Sequence, residues 1–237
     1  MSSGRPSLLS LLGLALVLGG LAMIARDRMA PAPAVPVAAP SPVGPPTLQQ
    51  VTACRNVGYL CADLENTDRI RVQRLVGFSG TFVVDLPLPS LPDRGAARDL
   101  QRAAAAGIRL WNGQPFLILV DERRSRPAHL SVRWVSGLIG NQIGQATTQW
   151  SPQTGLQPLS LDLVTRYPGG SAMDPEQIRL VAAHEMGHAL GLPHSDDPRD
   201  VMYPTNTATS LSARDYHTLE ALYGLEDGTI IVRTLRR

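Results

Sequence analysis

Two periods of apolar residues alternate along the chain. Short runs rich in β-branched and apolar residues at 81–86, 116–120, 130–135 and 159–164, each bounded by Gly, Pro, Asn or Asp, predict strands. Between the first two, Ala97, Leu100, Ala104, Ile108 and Trp111 recur every three or four residues and predict an amphipathic helix over 93–111 lying on the sheet. A second helix begins at Asp174, a good N-cap, with Pro175 in the first helical position and Gln177 at capping-box spacing, and stops at Gly191. A third covers 212–223, with Tyr216, Leu219, Leu222 and Tyr223 on one face and Gly224 behind it. This order of elements predicts an α/β (α+β) fold in which helices cover one mixed, twisted sheet.

Ahead of this pattern lie nineteen uncharged residues, 7–25, flanked by Arg5 and by Arg26-Asp27-Arg28. As a helix they would extend about 28 Å, close to the hydrocarbon thickness of a bilayer. Met23-Ile24-Ala25 is a poor small-x-small cleavage site, and Ala30-Pro31-Ala32 is followed by proline, so residues 1–29 read as a signal anchor in preference to a cleaved signal peptide. Either reading places the rest of the chain extracytoplasmically, membrane-anchored or secreted. Residues 30–46, with seven prolines and no charge, read as an extended linker. Cys54 and Cys61 in such a compartment favour a local disulfide in an N-terminal extension, 47–77. The main domain is then 78–225, and 226–237 a tail.

Composition narrows the chemistry. All 22 basic residues of the 237 are arginine, so Schiff-base lysine enzymes and phosphate-binding P-loops are excluded. Without the three arginines and one aspartate of the first 46 residues, the body holds 19 arginines against 19 acids, which leaves no electrostatic footprint for nucleic acid. The short clusters Arg123/Arg124/Arg126 and Arg233/Arg236/Arg237 read as solvated loop and tail. Three of the five histidines fall within eleven residues.

Those three sit in His184-Glu185-Met186-Gly187-His188 followed by Ala189-Leu190-Gly191-Leu192-Pro193-His194. His184 and His188 are one helical turn apart and project from one face, so both can share an ion. Glu185 lies about 100° around the helix, beside the ion and not on it. Gly191 can adopt a left-handed conformation that ends the helix and brings His194 round as a third ligand. Three imidazoles with an open fourth position describe a catalytic zinc, and a carboxylate beside it suits a general base for amide hydrolysis.

At this point the sequence resembles the metzincin zinc peptidases. His184 to His194 matches their zinc signature at every fixed position. Asp200-Val201-Met202-Tyr203-Pro204, Ser195, and Leu211-Ser212-Ala213-Arg214-Asp215 leading to Leu222-Tyr223-Gly224 are similar to the matrixin branch, over residues 78–225. The resemblance implies a zinc endopeptidase acting on extended peptide or protein substrates, with its cleft between a sheet and a helical lower part. Met202 would form a floor beneath the histidines. Residues 143–150 would fall near an edge strand that takes substrate by β-augmentation. Leu180, Tyr203 and Ala146 would line the substrate pocket, Leu180 facing the residue after the scissile bond.

Departures from the family pattern matter as well. Residues 136–150 contain no His or Asp, so a second, structural zinc is not expected; one zinc is, and calcium is left open with nothing to indicate it. His129 and His217 read as packing or surface residues. The family's propeptide cysteine motif does not occur, and Arg214 stands where the family often has an aspartate beside Asp215, which argues against docking of a new N-terminal amine there. The same residues would serve a narrow-specificity processing peptidase. A metal-holding binding module without chemistry is the remaining reading, and Glu185 argues against it.

Overall fold

The computed structural model describes residues 56–232, apart from 66, 79, 114, 168 and 206. Its elements run β1 (Arg69–Arg71), β2 (Thr81–Asp85), α1 (Arg94–Arg109), β3 (Leu117–Asp121), β4 (Leu130–Val135), β5 (Gly144–Ser151), β6 (Gly155–Val164), α2 (Pro175–Ala189), α3 (Ala213–Gly224) and β7 (Ile230–Val232). Strands β3-β2-β4-β6-β5 form one sheet in that order. The first four are parallel, and β5 runs antiparallel to β6 at the edge. Parallel strands covered on both faces bury successive residues, as Phe82, Val83, Val84 and Asp85 do. The sequence of β5, GQATTQWS, is polar because only one of its edges is paired within the sheet.

Helix α1 starts where the Asp93 carboxylate accepts the Gly95 and Ala96 backbone N–H groups at 2.7 and 3.3 Å. Its predicted stripe of Ala97, Leu100, Ala104 and Ile108 is buried. The helix ends at Arg109, two residues earlier than predicted, and buried Trp111 donates its indole N–H to the Ala183 carbonyl at 2.7 Å. Helix α2 packs against α1 on one side and β5 and β6 on the other. Being covered on both sides, it buries Ile178, Val181, Ala182, Ala183, Met186 and Ala189.

Asp174 caps α2 through the Glu176 N–H at 3.1 Å, with Pro175 behind it. The reciprocal half of the predicted capping box does not form, because Gln177 accepts the Tyr167 hydroxyl at 3.3 Å instead. A full capping box appears on α3, between Ser212 and Asp215.

The segments outside 78–225 are built into the same core. A 3-10 stretch, Gly58–Glu65, packs on α3, and β1 pairs antiparallel with β7 as Arg69–Val232, Ile70–Ile231 and Arg71–Ile230. Tyr59, Leu60, Leu64, Val72, Leu75 and Ile231 share one buried cluster with Phe82, Leu161 and Ile178. Cys61 is disulfide-bonded. Cys54, the predicted anchor or signal (1–29), the linker (30–46) and Arg233, Arg236 and Arg237 lie outside the described residues. Among the described residues, no helix is long and apolar enough to cross a membrane. The other arginine cluster follows β3 in a turn closed by Asp121, which accepts the Arg123, Ser125 and Arg126 N–H groups.

At Gly107 the two long helices touch: a Cβ there would lie 2.0 Å from the Arg179 carbonyl oxygen. Alanine gains about 1 kcal/mol over glycine in helix propensity. Forcing two backbones apart in a packed core costs about 1–3 kcal/mol and outweighs that gain. Gly107→Ala is therefore expected to lower the thermal midpoint by about 2–4 °C for each net kcal/mol, measured by calorimetry or circular dichroism.

Candidate metal centre

Helix α2 carries His184 and His188 one turn apart, and the turn after it supplies His194. Gly191 makes that turn, with φ at 98°. The Leu192 N–H closes onto the Gly187 carbonyl at 3.0 Å and the Gly191 N–H onto the His188 carbonyl at 2.9 Å, a Schellman-type ending. A Cβ at Gly191 would sit 2.3 Å from the Gln73 carbonyl oxygen, so glycine is needed for space as well as for conformation. The donor nitrogens of His184, His188 and His194 then fall within 4.8 Å of one another.

The hydrogen bonds of the rings decide which nitrogens face inward. Nδ1 of His184 lies 2.7 Å from the Val201 carbonyl and Nδ1 of His188 lies 2.8 Å from the Leu192 carbonyl. A carbonyl oxygen only accepts, so both Nδ1 atoms carry the proton and both Nε2 atoms present lone pairs. Burial pushes the His184 imidazole below its ordinary pKa and that of His188 down to about 3, which keeps both rings neutral. Nε2 of His188 is 3.1 Å from Nε2 of His184 and 3.2 Å from Nε2 of His194. The lone pairs of His184 and His188 facing each other at such a separation repel unless a cation lies between them. The residues fit a metal ion, and three imidazoles suit zinc.

Glu185 is on the neighbouring face. Its Oε2 accepts the Ala146 backbone N–H at 2.7 Å, which ties the carboxylate to the edge strand β5. Burial raises its pKa to about 7, and that hydrogen bond opposes the rise. The approach of β5 is close, since a Cβ at Gly144 would meet Val181 at 2.4 Å and Glu185 at 2.8 Å. Between β5 and α2 lies an open cleft of about 910 Å³. It reaches Ala146, His184, Glu185, His188 and His194.

Ala146 therefore lines the cleft. Leu180 and Tyr203 are half-buried and do not line it; Val181 and Gln177 do, with Pro204 and Thr205 across from them. The reason is rotational. Positions 177, 181, 185 and 188 form the row of α2 turned toward Gly144 and Ala146, and Leu180 points about 100° away from Val181.

Met202 is fully buried, and its Sδ would lie 2.3 Å from a Cβ at Gly187, with Trp111 at 2.9 Å. Gly187 thus lets the methionine fit under the helix between two ligands, a role sequence reading passed over. The turn holding Met202 is fixed from α3. Buried Asp215 accepts the Val201 N–H at 2.9 Å, the Ser212 N–H at 2.8 Å and the Tyr59 hydroxyl at 2.9 Å. Burial pushes the Tyr59 hydroxyl well above its ordinary range, so it stays a donor. Arg214 reaches Asp200 at 2.9 Å, pairs with Asp196, and lies over the Tyr59 ring at 5.3 Å. Asp200 also accepts the hydroxyls of Ser195 and Ser212. His129 serves packing: its Nδ1 accepts the Val83 N–H at 2.9 Å and its ring stacks on Phe82. His217 is exposed.

Sheet, helices and histidine cluster together are similar to those of the matrixin branch of the metzincins. Residues 129–224 match the Matrixin family model. The chain is 53% identical over 51 residues to the macrophage metalloelastase of Rattus norvegicus, covering 19% of this chain and 11% of that protein. It is 46% identical over 56 residues to the neutrophil collagenase of Homo sapiens, covering 22% and 12%. Human matrilysin is 36% identical over 91 residues, covering 36% and 33%. The chain thus spans between 11% and 33% of the length of these relatives.

Asp215→Asn places an amide NH₂ among three donors. It is expected to destabilise the fold by about 1–3 kcal/mol and, by loosening Val201 and hence His184, to weaken metal retention against a chelator. Unchanged retention in a folded variant would show that the turn is held by other contacts.

Proposed function

We propose that this chain is a zinc-dependent endopeptidase that hydrolyses peptide bonds of extended polypeptides. The observation that carries the reading is the convergence of three imidazoles, two of them with an unprotonated Nε2 turned inward, beside a carboxylate held by the edge strand. His184, His188 and His194 would hold the ion. When bound, zinc supplies a Lewis acid that polarises the scissile carbonyl and lowers the pKa of water toward about 7. Glu185 removes the proton from the attacking water and hands it to the leaving amine. Its bond to the Ala146 N–H fixes the direction of that transfer. The free edge of β5 offers backbone donors and acceptors to an extended chain, so affinity comes from the main chain and the cleft walls select side chains.

Glu185→Gln is expected to retain zinc, measured by elemental analysis, while turnover of a mixed peptide library falls by about 10²–10⁴-fold. Chelation is expected to abolish cleavage and added zinc to restore it. A Glu185→Gln protein that cleaves as fast as the unmodified chain would overturn the assignment.

The same reading includes an extracytoplasmic location, supported by the disulfide at Cys61 and by the apolar run at 7–25. That run is proposed to anchor the full chain, leaving the peptidase on its outer side. The full-length protein is expected to stay with membranes through alkaline carbonate and to enter solution with detergent; release by carbonate would exclude the anchor.

A further inference from the structure

The 3-10 stretch Gly58–Glu65 precedes the matched segment 129–224 and packs on α3, where it buries Tyr59 to 1% exposure. The docking is close. A Cβ at Gly58 would lie 2.0 Å from Oγ1 of Thr218, and with φ of 58° at Gly58 the chain turns so that the Tyr59 backbone N–H donates to that same Oγ1 at 3.2 Å. The Thr218 hydroxyl donates onward to the Arg214 carbonyl at 2.7 Å. Two residues past Tyr59, Cys61 is disulfide-bonded.

Two relays run from this side chain toward the ligands. In the first, the Tyr59 hydroxyl donates to Asp215 at 2.9 Å, Asp215 accepts the Val201 N–H at 2.9 Å, and the Val201 carbonyl accepts Nδ1–H of His184 at 2.7 Å. In the second, the Arg214 guanidinium lies over the Tyr59 ring at 5.3 Å and donates to Asp200 at 2.9 Å and to the Ser195 hydroxyl oxygen at 3.2 Å. Ser195 directly follows His194; its hydroxyl donates to Asp200 and its backbone N–H to the Met202 carbonyl at 2.8 Å. One buried side chain thus stands behind the supports of the first and third histidines. The second, His188, is oriented separately by the Leu192 carbonyl.

From this geometry we infer that Tyr59 is a positioning residue of the metal centre, orienting His184 through its hydroxyl and His194 through its ring. The inference rests on the reading of the three histidines as a metal site. Tyr59 touches neither ion nor substrate and acts through the groups that hold the ligand rings, whose outer hydrogen bonds fix ring orientation. Without the hydroxyl, fully buried Asp215 loses one of three donors, and a carboxylate that shifts to recover a partner carries Val201 with it. A ligand set held in place beforehand needs less ordering when the ion arrives, so the effect falls on metal retention. Such coupling is reciprocal: a segment that stabilises the bound ion is itself stabilised by the ion.

The test uses the full chain. Tyr59→Phe keeps the ring under Arg214 and loses only the hydroxyl; it is expected to release zinc to a chromophoric chelator about tenfold faster and to alter the visible absorption of the cobalt(II)-loaded protein. Tyr59→Leu removes both supports and is expected to exceed it in each measurement. Trp134→Phe gives up an indole hydrogen bond to the Pro87 carbonyl that belongs to neither relay, so it controls for lost stability and is expected to leave zinc release unchanged. A further measurement needs no variant to fold: in the unmodified chain, added zinc is expected to slow amide exchange in 58–65 more than in β3, on the far edge of the sheet. Zinc release from Tyr59→Phe at the rate of the unmodified chain or of Trp134→Phe, or exchange in 58–65 slowed no more than in β3, would overturn the role of Tyr59 and leave the metal site standing. A chain that binds neither zinc nor cobalt would overturn both.

Discussion

A carbonyl oxygen accepts a hydrogen bond and never donates one, and the metal centre is organised by that asymmetry. With Nδ1 of His184 committed to Val201 and Nδ1 of His188 committed to Leu192, each Nε2 is left unprotonated and aimed at its neighbours. The two carbonyls must themselves be held. Leu192 is held by the glycine turn at Gly191, whose positive φ and contact with Gln73 leave no room for a side chain. Val201 is held by the Asp215 carboxylate on α3. The third helix thus orients His184, while the chain reversal after the second orients His188 and delivers His194.

Burial then sets the protonation state. Low exposure disfavours the imidazolium form and outweighs the Val201 and Leu192 carbonyls, which by themselves favour it. The helix that carries the rings is sunk between α1 and the sheet, with Trp111 donating to Ala183 just before His184 and Met202 seated beneath Gly187. Small residues at Gly107, Ala182, Ala183 and Gly187 are what allow such close contact. The result is a rigid ligand set, since a helix locked on both faces cannot rotate its histidines apart without opening the core.

Much of the fold was legible because its signals are local. The N-cap Asp174, the alanine stripe of α1 and the Gly191 stop are written within a few residues of the features they specify. The spacing of His184, Glu185, His188 and His194 is equally local, and Ala146 was reached through the resemblance. What escaped depends on long-range pairing. Strands β1 and β7 are three residues each and exist because Ile70 meets Ile231 across most of the chain, a fact no window contains. Leu180 was placed on the cleft by counting one turn back from His184. Which row of α2 faces the cleft is decided by the contact between Gly144 and Val181, and that contact is tertiary. Likewise Gln177 has the right spacing for a capping box, but the Tyr167 hydroxyl competes for it.

Arg214 bears on how the underside of the site is balanced. Asp200 and Asp215 are both buried, and a carboxylate left without partners in such surroundings costs several kcal/mol. Asp215 is satisfied by two backbone N–H groups and the Tyr59 hydroxyl, and Asp200 by Arg214 together with the Ser195 and Ser212 hydroxyls. The departure from the family pattern at position 214 thus supplies an internal cation, while Tyr59, from a segment ahead of the matched region, supplies the donor that closes Asp215. With both carboxylates provided for by the described residues, no incoming amine is needed to hold the Met202 turn. The orientation of His184, which hangs from that turn through Val201, follows from contacts already present in the folded chain.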